Sequence, residues 1–225
     1  MKRIEVLRDG SFALRSPDYV DAAVLSQNTA ELFTVPADAT HVFFSGNGDF
    51  YVTYVLTGDT DLVTNGAFAT DTSWTKGDEW TIGSGVASCS GDQSDVTLLS
   101  QDVDDNGFLL YENKSYRAVY TISRTAGAIT PVIGGTAGTE RSTSATFTET
   151  IVAGSTQTIS FSADADFIGT VDNFSLVPIA AVPSADLDEY ASELNPTVRY
   201  ITGVAQLSLV TPATSAIVTL SYYRS

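Results

Sequence analysis

Short runs in which apolar and polar residues alternate dominate this chain, and they come in two textures. In "ELFTVPADATHVFFSGNGDFYVTYVL", Phe50, Val52, Tyr54 and Leu56 recur with period two behind the tight-turn signal "GNGD". That is the pattern of a strand with one face on a core. Pro36 ends the strand before it, because proline cannot donate to a ladder. Near the other terminus, "AQLSLVTPATSAIVTLSYY" predicts two strands about a Thr-Pro turn, with Ala216, Val218, Leu220 and Tyr222 on one side. Ile217 and Tyr223 make the opposite side apolar as well. Such a strand is expected to be central in a sandwich or covered by another subunit. Residues 1–30 show no such alternation and read as irregular. "SADLDEYASELN" opens with Ser184 ahead of early Asp and Glu, which predicts one short helix before Pro196.

From Asp59 the texture changes. Turn signals ("TNG", "TKGD", "SGDQSD", "DDNG", "GGTAGT", "VAGST") recur about every eight to twelve residues. Between them Tyr116, Ala118, Tyr120 and Ile122 share one face, as do Ile159, Phe161 and Ala163, and Val171, Phe174 and Leu176 are candidate core. "DVDDNG" (102–107) matches the first half of a calcium loop, but position 12 is Asn113 and no helices flank it. It reads instead as an Asp-Asn-Gly hairpin turn between "VTLLSQDV" and "FLLY". After Pro178 the first texture returns. The expectation is an all-β chain of two β-sandwich domains, with a jelly-roll domain (60–178) inserted into a smaller split sandwich (1–59 plus 179–225). Neither outer piece alone offers enough strands for stability, whereas joined they do.

Composition narrows the function classes. Only 17% of residues are charged and the formal net charge is -16. A surface of this sign repels phosphate backbones, so no nucleic-acid partner is expected. It also keeps a protein soluble at high local concentration, which suits a component present in many copies. The single cysteine, Cys89, excludes an intrachain disulfide. With no signal peptide and no apolar run near 18 residues, the sequence predicts synthesis in the cytoplasm and no membrane insertion. Lys2, Arg3, Arg8 and Arg15 outnumber Glu5 and Asp9 at the start. That arm is either an anchor on an acidic neighbour or a solvated terminus.

"DLVTNGAFATDTSWTKGDEWTIGSGVAS", "NKSYRAVYTIS" and the closing "VDNFSLV" together resemble jelly-roll modules of the galactose-binding-like, carbohydrate-binding type. The resemblance covers about half the chain. It implies a β-sandwich of a kind that often binds sugars and often holds a structural calcium. The outer segments, "FTVPADATHVFFSGNGDFYVTY" and "ELNPTVRYITGVAQLSLVTPATSAIVTLSYY", are similar, less specifically, to small β-sandwich proteins encoded among phage structural genes. This second resemblance implies a bacteriophage virion protein used in capsid decoration or in head- or tail-fibre attachment. It also implies a place on the virion surface after synthesis in the bacterial host cytoplasm. Its partners would be major capsid or tail proteins, further copies of itself in a homo-oligomer such as a trimer, and a cell-surface glycan.

Candidate sites are few. Trp74 and Trp80, with Tyr111, Tyr116 and Phe108 as additions, are the candidates for a stacked sugar ring; the competing reading makes both indoles core. No cofactor is expected from the residues themselves. The resemblance adds a structural calcium, for which Asp172 is the matched ligand, although Ala67 and Ala69 stand where acids are expected. His41 sits in a strand and Cys89 has no second His or Cys to pair with, so no catalytic residue is assigned. The reading is a non-enzymatic virion structural protein displaying a carbohydrate-binding-like domain. The alternative is a sugar-binding host-recognition module of a tail fibre, and a third class is a glycan-cleaving enzyme working through a carboxylate pair.

Overall fold

A computed structural model describes residues 5–6, 12–13, 16–57, 61–181 and 192–224. The chain is all-β. Its described residues divide into two compact units, one holding those up to Thr57 with 180–181 and 192–224, the other 61–179. Each unit has its own hydrophobic core. A short pair, Glu5–Val6 with Phe12–Ala13, precedes the outer unit's strands.

The outer unit is a sandwich of two four-stranded sheets. One runs Glu193–Leu194, Tyr51–Leu56, Val204–Val210, Glu31–Thr34; the other runs Val198–Tyr200, His41–Gly46, Ser215–Tyr223, Tyr19–Ser26. The first of the eight strands pairs with the last and the second with the seventh, and all pairs are antiparallel. This is the strand order of a jelly roll. Ala216, Val218, Leu220 and Tyr222 point into the core between the sheets, as their alternation predicts. Ser215–Tyr223 is a central strand, flanked on both sides.

The inserted unit is a second sandwich, of two five-stranded sheets. One runs Thr136–Ala137, Ile129–Ile133, Thr158–Ala163, Thr97–Asp102, Thr75–Lys76. The other runs Ala145–Val152, Ser115–Ala126, Ile168–Pro178, Val86–Cys89, Trp80–Gly83. Its core centres on aromatic rings: Phe161 meets Phe174 edge-on at 4.9 Å and Tyr120 at 5.3 Å. The ends of the insert lie side by side, since Leu62 N donates to Leu176 O and Asp61 accepts from the amides of Val63 and Leu176.

Three expectations need correction. Residues 1–30 are not all irregular, because Tyr19–Ser26 pairs along its whole length with the last strand. Only Ala23 and Leu25 of that strand are buried, so its own pattern is weak and the long-range ladder holds it. The expected helix falls mostly on residues outside those described, and its end is strand: Glu193–Leu194 pairs with Val52 and Tyr51. Glu193 is drawn there by Tyr54, whose hydroxyl donates to it at 2.6 Å, and by an ion pair with Arg199. The 102–107 turn is a 3-10 turn over Asp104–Asn106 with Gly107 left-handed, and no strand follows it. "FLLY" instead runs irregularly, because the Gln157 side chain takes both backbone groups of Leu110. The basic arm, residues 1–15, lies largely outside the described residues.

Candidate carbohydrate and calcium sites

Stacking a sugar needs a flat aromatic face open to solvent. Trp74 is only 8% exposed and Trp80 only 4%. Trp74 packs beside Phe68 at 5.2 Å and Phe174 at 6.1 Å, and its Nε1 donates to Asn65 O. Trp80 sits against Phe167 at 6.1 Å, and its buried Nε1 finds no acceptor among the described residues. Tyr116 is 1% exposed, and its hydroxyl accepts the Tyr111 amide. Tyr111 is half-buried, with Lys114 Nζ 5.9 Å from its ring centre. Phe108 is partly buried against the same core. The structure therefore brings Tyr111 and Tyr116 together but gives Trp74, Trp80 and Tyr116 no open face, because their rings fill the sandwich interior. Of the two readings of these tryptophans, the structure has core packing.

The sequence signature around Trp74 is explained by packing as well. A Cβ on Gly66 would lie 1.9 Å from the Phe174 carbonyl oxygen, so only glycine lets the insert's opening segment lie against the strand Ile168–Pro178. Phe174 N donates to Gly66 O across that contact, and Phe68 is fully buried. Asn65, left-handed at φ 54°, caps the turn by donating to the carbonyls of Thr70 and Thr72.

Asp172 lies on the strand Ile168–Pro178, and both its oxygens are engaged by the next residue. Oδ1 accepts the Asn173 amide at 2.6 Å and Oδ2 accepts Asn173 Nδ2 at 2.9 Å. Among the described residues no group of three or more His, Cys, Asp or Glu side chains converges. A calcium ion takes six to eight oxygen ligands. The side chains around Asp172 do not supply such a cage, and no chemistry is assigned to a bound ion.

The polar groups that do converge were not singled out by sequence. Tyr120 donates to Glu149, Arg141 Nε donates to the Tyr120 hydroxyl at 3.0 Å, and Arg141 Nη2 lies 3.2 Å from Glu149. Burial raises the Glu149 carboxyl, but hydrogen bonds from Tyr120, Thr139 and Arg141 outweigh it and hold the group below its ordinary value. Burial, then donation to Glu149, pushes the Tyr120 hydroxyl far up. Glu149 is thus an ionised brace with both oxygens occupied, tying the 139–141 loop to the sheet. The only available signal was Glu149 sharing the inward phase of Phe147 and Ile151. Three glutamines act similarly, for example Gln101, which accepts from Thr64 N and donates to Thr64 O and Ser73 O. Cys89 is buried, and burial pushes its thiol up. His41 lies half-buried in the outer unit's strand His41–Gly46.

No protein-family model matches this chain, and no curated protein matches it. Among solved structures it is similar to a GH26-CBM35 β-(1,4)-mannanase from Podospora anserina at 12% identity and TM-score 0.33, over 71% of this chain and 30% of that one. It is similar also to a Paenibacillus cycloisomaltooligosaccharide glucanotransferase complexed with cycloisomaltoheptaose, at 14% identity and TM-score 0.27, over 71% of this chain and 20% of that one. A third is the stem and receptor-binding domain of the spike protein P1 from bacteriophage PM2, at 10% identity and TM-score 0.16, covering 93% of this chain and 99% of that one. The chain thus spans less than a third of the length of the two enzymes.

Proposed function

We propose that this chain is a non-enzymatic structural protein of a bacteriophage particle, a capsid decoration or head-fibre component. Its outer jelly roll attaches to other virion proteins and carries the inserted sandwich as a displayed module for contact with glycans. The observation supporting this reading is the way the insert is grafted. It leaves the outer unit after Tyr51–Leu56 and returns before Glu193–Leu194, two strands that are hydrogen-bonded neighbours in one sheet. The connection between paired strands is a place where an added domain leaves the host sandwich intact. The return segment is anchored in the outer unit, with Ala180 N donating to Ser208 Oγ and Ala181 N to Ser192 Oγ. Many copies of a weakly binding module gain by avidity what each lacks in affinity.

Deletion tests this division of labour. A variant in which residues 61–179 are replaced by a short Gly-Ser turn is expected to enter particles as the full chain does. Particles that reject it while accepting the insert alone would invert the model. A glycan array probed with the full chain tests the second half, with multivalent, weak binding expected. No binding across a broad panel removes glycans from the reading and leaves attachment standing.

A further inference from the structure

The outer unit of this acidic chain presents one exposed sheet face without charge. In the sheet Val198–Tyr200, His41–Gly46, Ser215–Tyr223, Tyr19–Ser26, alternate residues point inward to the core. The others point out, and five of these are exposed large apolar side chains: Val20, Val24, Val198, Tyr200 and Ile217. Val24 and Tyr200 are each 66% exposed. Register places Val24 opposite Ile217 on the outward side, and Tyr200 opposite His41, whose ring it meets edge-on at 5.3 Å. The remaining outward positions carry alanine, serine, threonine, phenylalanine or tyrosine. None carries Asp, Glu, Lys or Arg, in a chain of net charge -16.

We propose that this face binds the same face of a second copy of the chain. Two copies of so acidic a protein repel each other wherever their carboxylates meet, and a surface without charge is where they can approach without desolvating any. Aromatic enrichment and charge depletion at the centre of a patch is the anatomy of a protein interface. Four strands about 4.8 Å apart, with about 3.4 Å per residue along strands averaging six or seven, cover roughly 400 Å² in plan. Side-chain relief raises the accessible area from there toward the roughly 800 Å² per partner of a stable pair. Sheets pack face to face about 10 Å apart when their inner rows are apolar, so the geometry suits a self-complementary, two-fold contact. The contact does not depend on where the protein works.

Sedimentation velocity and light scattering on the full chain test this. The wild type is expected at twice its 23.8 kDa chain mass or more. Ile217→Glu is expected to weaken self-association at least about 100-fold, as a charge buried against an apolar partner does. Val24→Lys on the edge strand repeats the test should Ile217→Glu not fold. Thr148→Glu, exposed on the inserted unit's strand Ala145–Val152, is expected to leave the mass unchanged. A wild type that stays monomeric at every concentration overturns the proposal and hands the face to a different partner. An oligomer that folded Ile217→Glu and Val24→Lys both leave intact overturns it too, because the interface then lies elsewhere.

Discussion

The two sheets of the outer unit share one core yet differ on their outer faces. On the sheet containing Val204–Val210, the outward positions Val55, Ser208 and Val210 are buried, and the returning segment Ala180–Ala181 hydrogen-bonds there to Ser208 and Ser192. On the opposite sheet, Val24 and Ile217 stand in solvent with no charge between them. Both faces have the composition of an interior, and among the described residues only one is covered. An outward row of apolar residues therefore tells where contact is intended, and topology tells whether the chain itself makes it.

Substitutions of one kind on the two faces sharpen that contrast most. Val55→Glu places an unpaired carboxylate on the covered face, and we expect a loss of about 4 kcal/mol or more, read as failure of the outer unit to fold. Val24→Glu on the open face is expected to change stability by about 0.5 kcal/mol or less while dissolving self-association. Equal effects of the two in denaturant titrations would break the comparison.

The units themselves can be separated next. Two cores predict two calorimetric transitions. Phe161→Ala or Trp74→Ala in the inserted sandwich should cost about 3–5 kcal/mol and lower one transition only. Gly66→Ala is expected to lower the same transition by about 2–3 kcal/mol, since its Cβ must displace the Phe174 carbonyl. Preservation of stability in Gly66→Ala would show that the opening segment does not need that close approach.

A smaller loss than from the core changes is expected in the Glu149 brace. Because its folded carboxyl is held below the ordinary value, it adds stability above about pH 4.3 that is lost as pH falls through the folded value. Glu149→Gln should cost about 1–2 kcal/mol at pH 7 and flatten the acid dependence of the inserted unit's melting temperature. Asp61 works in the opposite sense: burial, larger than the opposing amide hydrogen bonds, raises its carboxyl. Its contribution is complete below the ordinary aspartate value and is lost as pH rises through the folded value. An unchanged acid profile in Glu149→Gln would remove the brace from the account.

Much of the fold was legible where alternation was strong. Ala216 to Tyr222, Tyr116 to Ile122 and Ile159 to Ala163 all face cores as their period predicts. Legibility failed where a segment's conformation is set by a distant partner. Tyr19–Ser26 is strand because the last strand pairs with it along its whole length, and Glu193–Leu194 is strand because Tyr51 and Val52 pair with it. The candidate site was half legible: Trp74 and Trp80 are conspicuous in the sequence, but a tryptophan's composition does not say whether its face is wet.

The sequence by itself determined the all-β class, the sandwich texture and the strands whose hydrophobic period is local, because side-chain alternation is a property of neighbouring residues. Tertiary structure alone decided which apolar rows are covered, why Gly66 must be glycine, and that Tyr120, Glu149 and Arg141 meet. Each of those rests on contacts between segments far apart in the chain, and no local pattern encodes them.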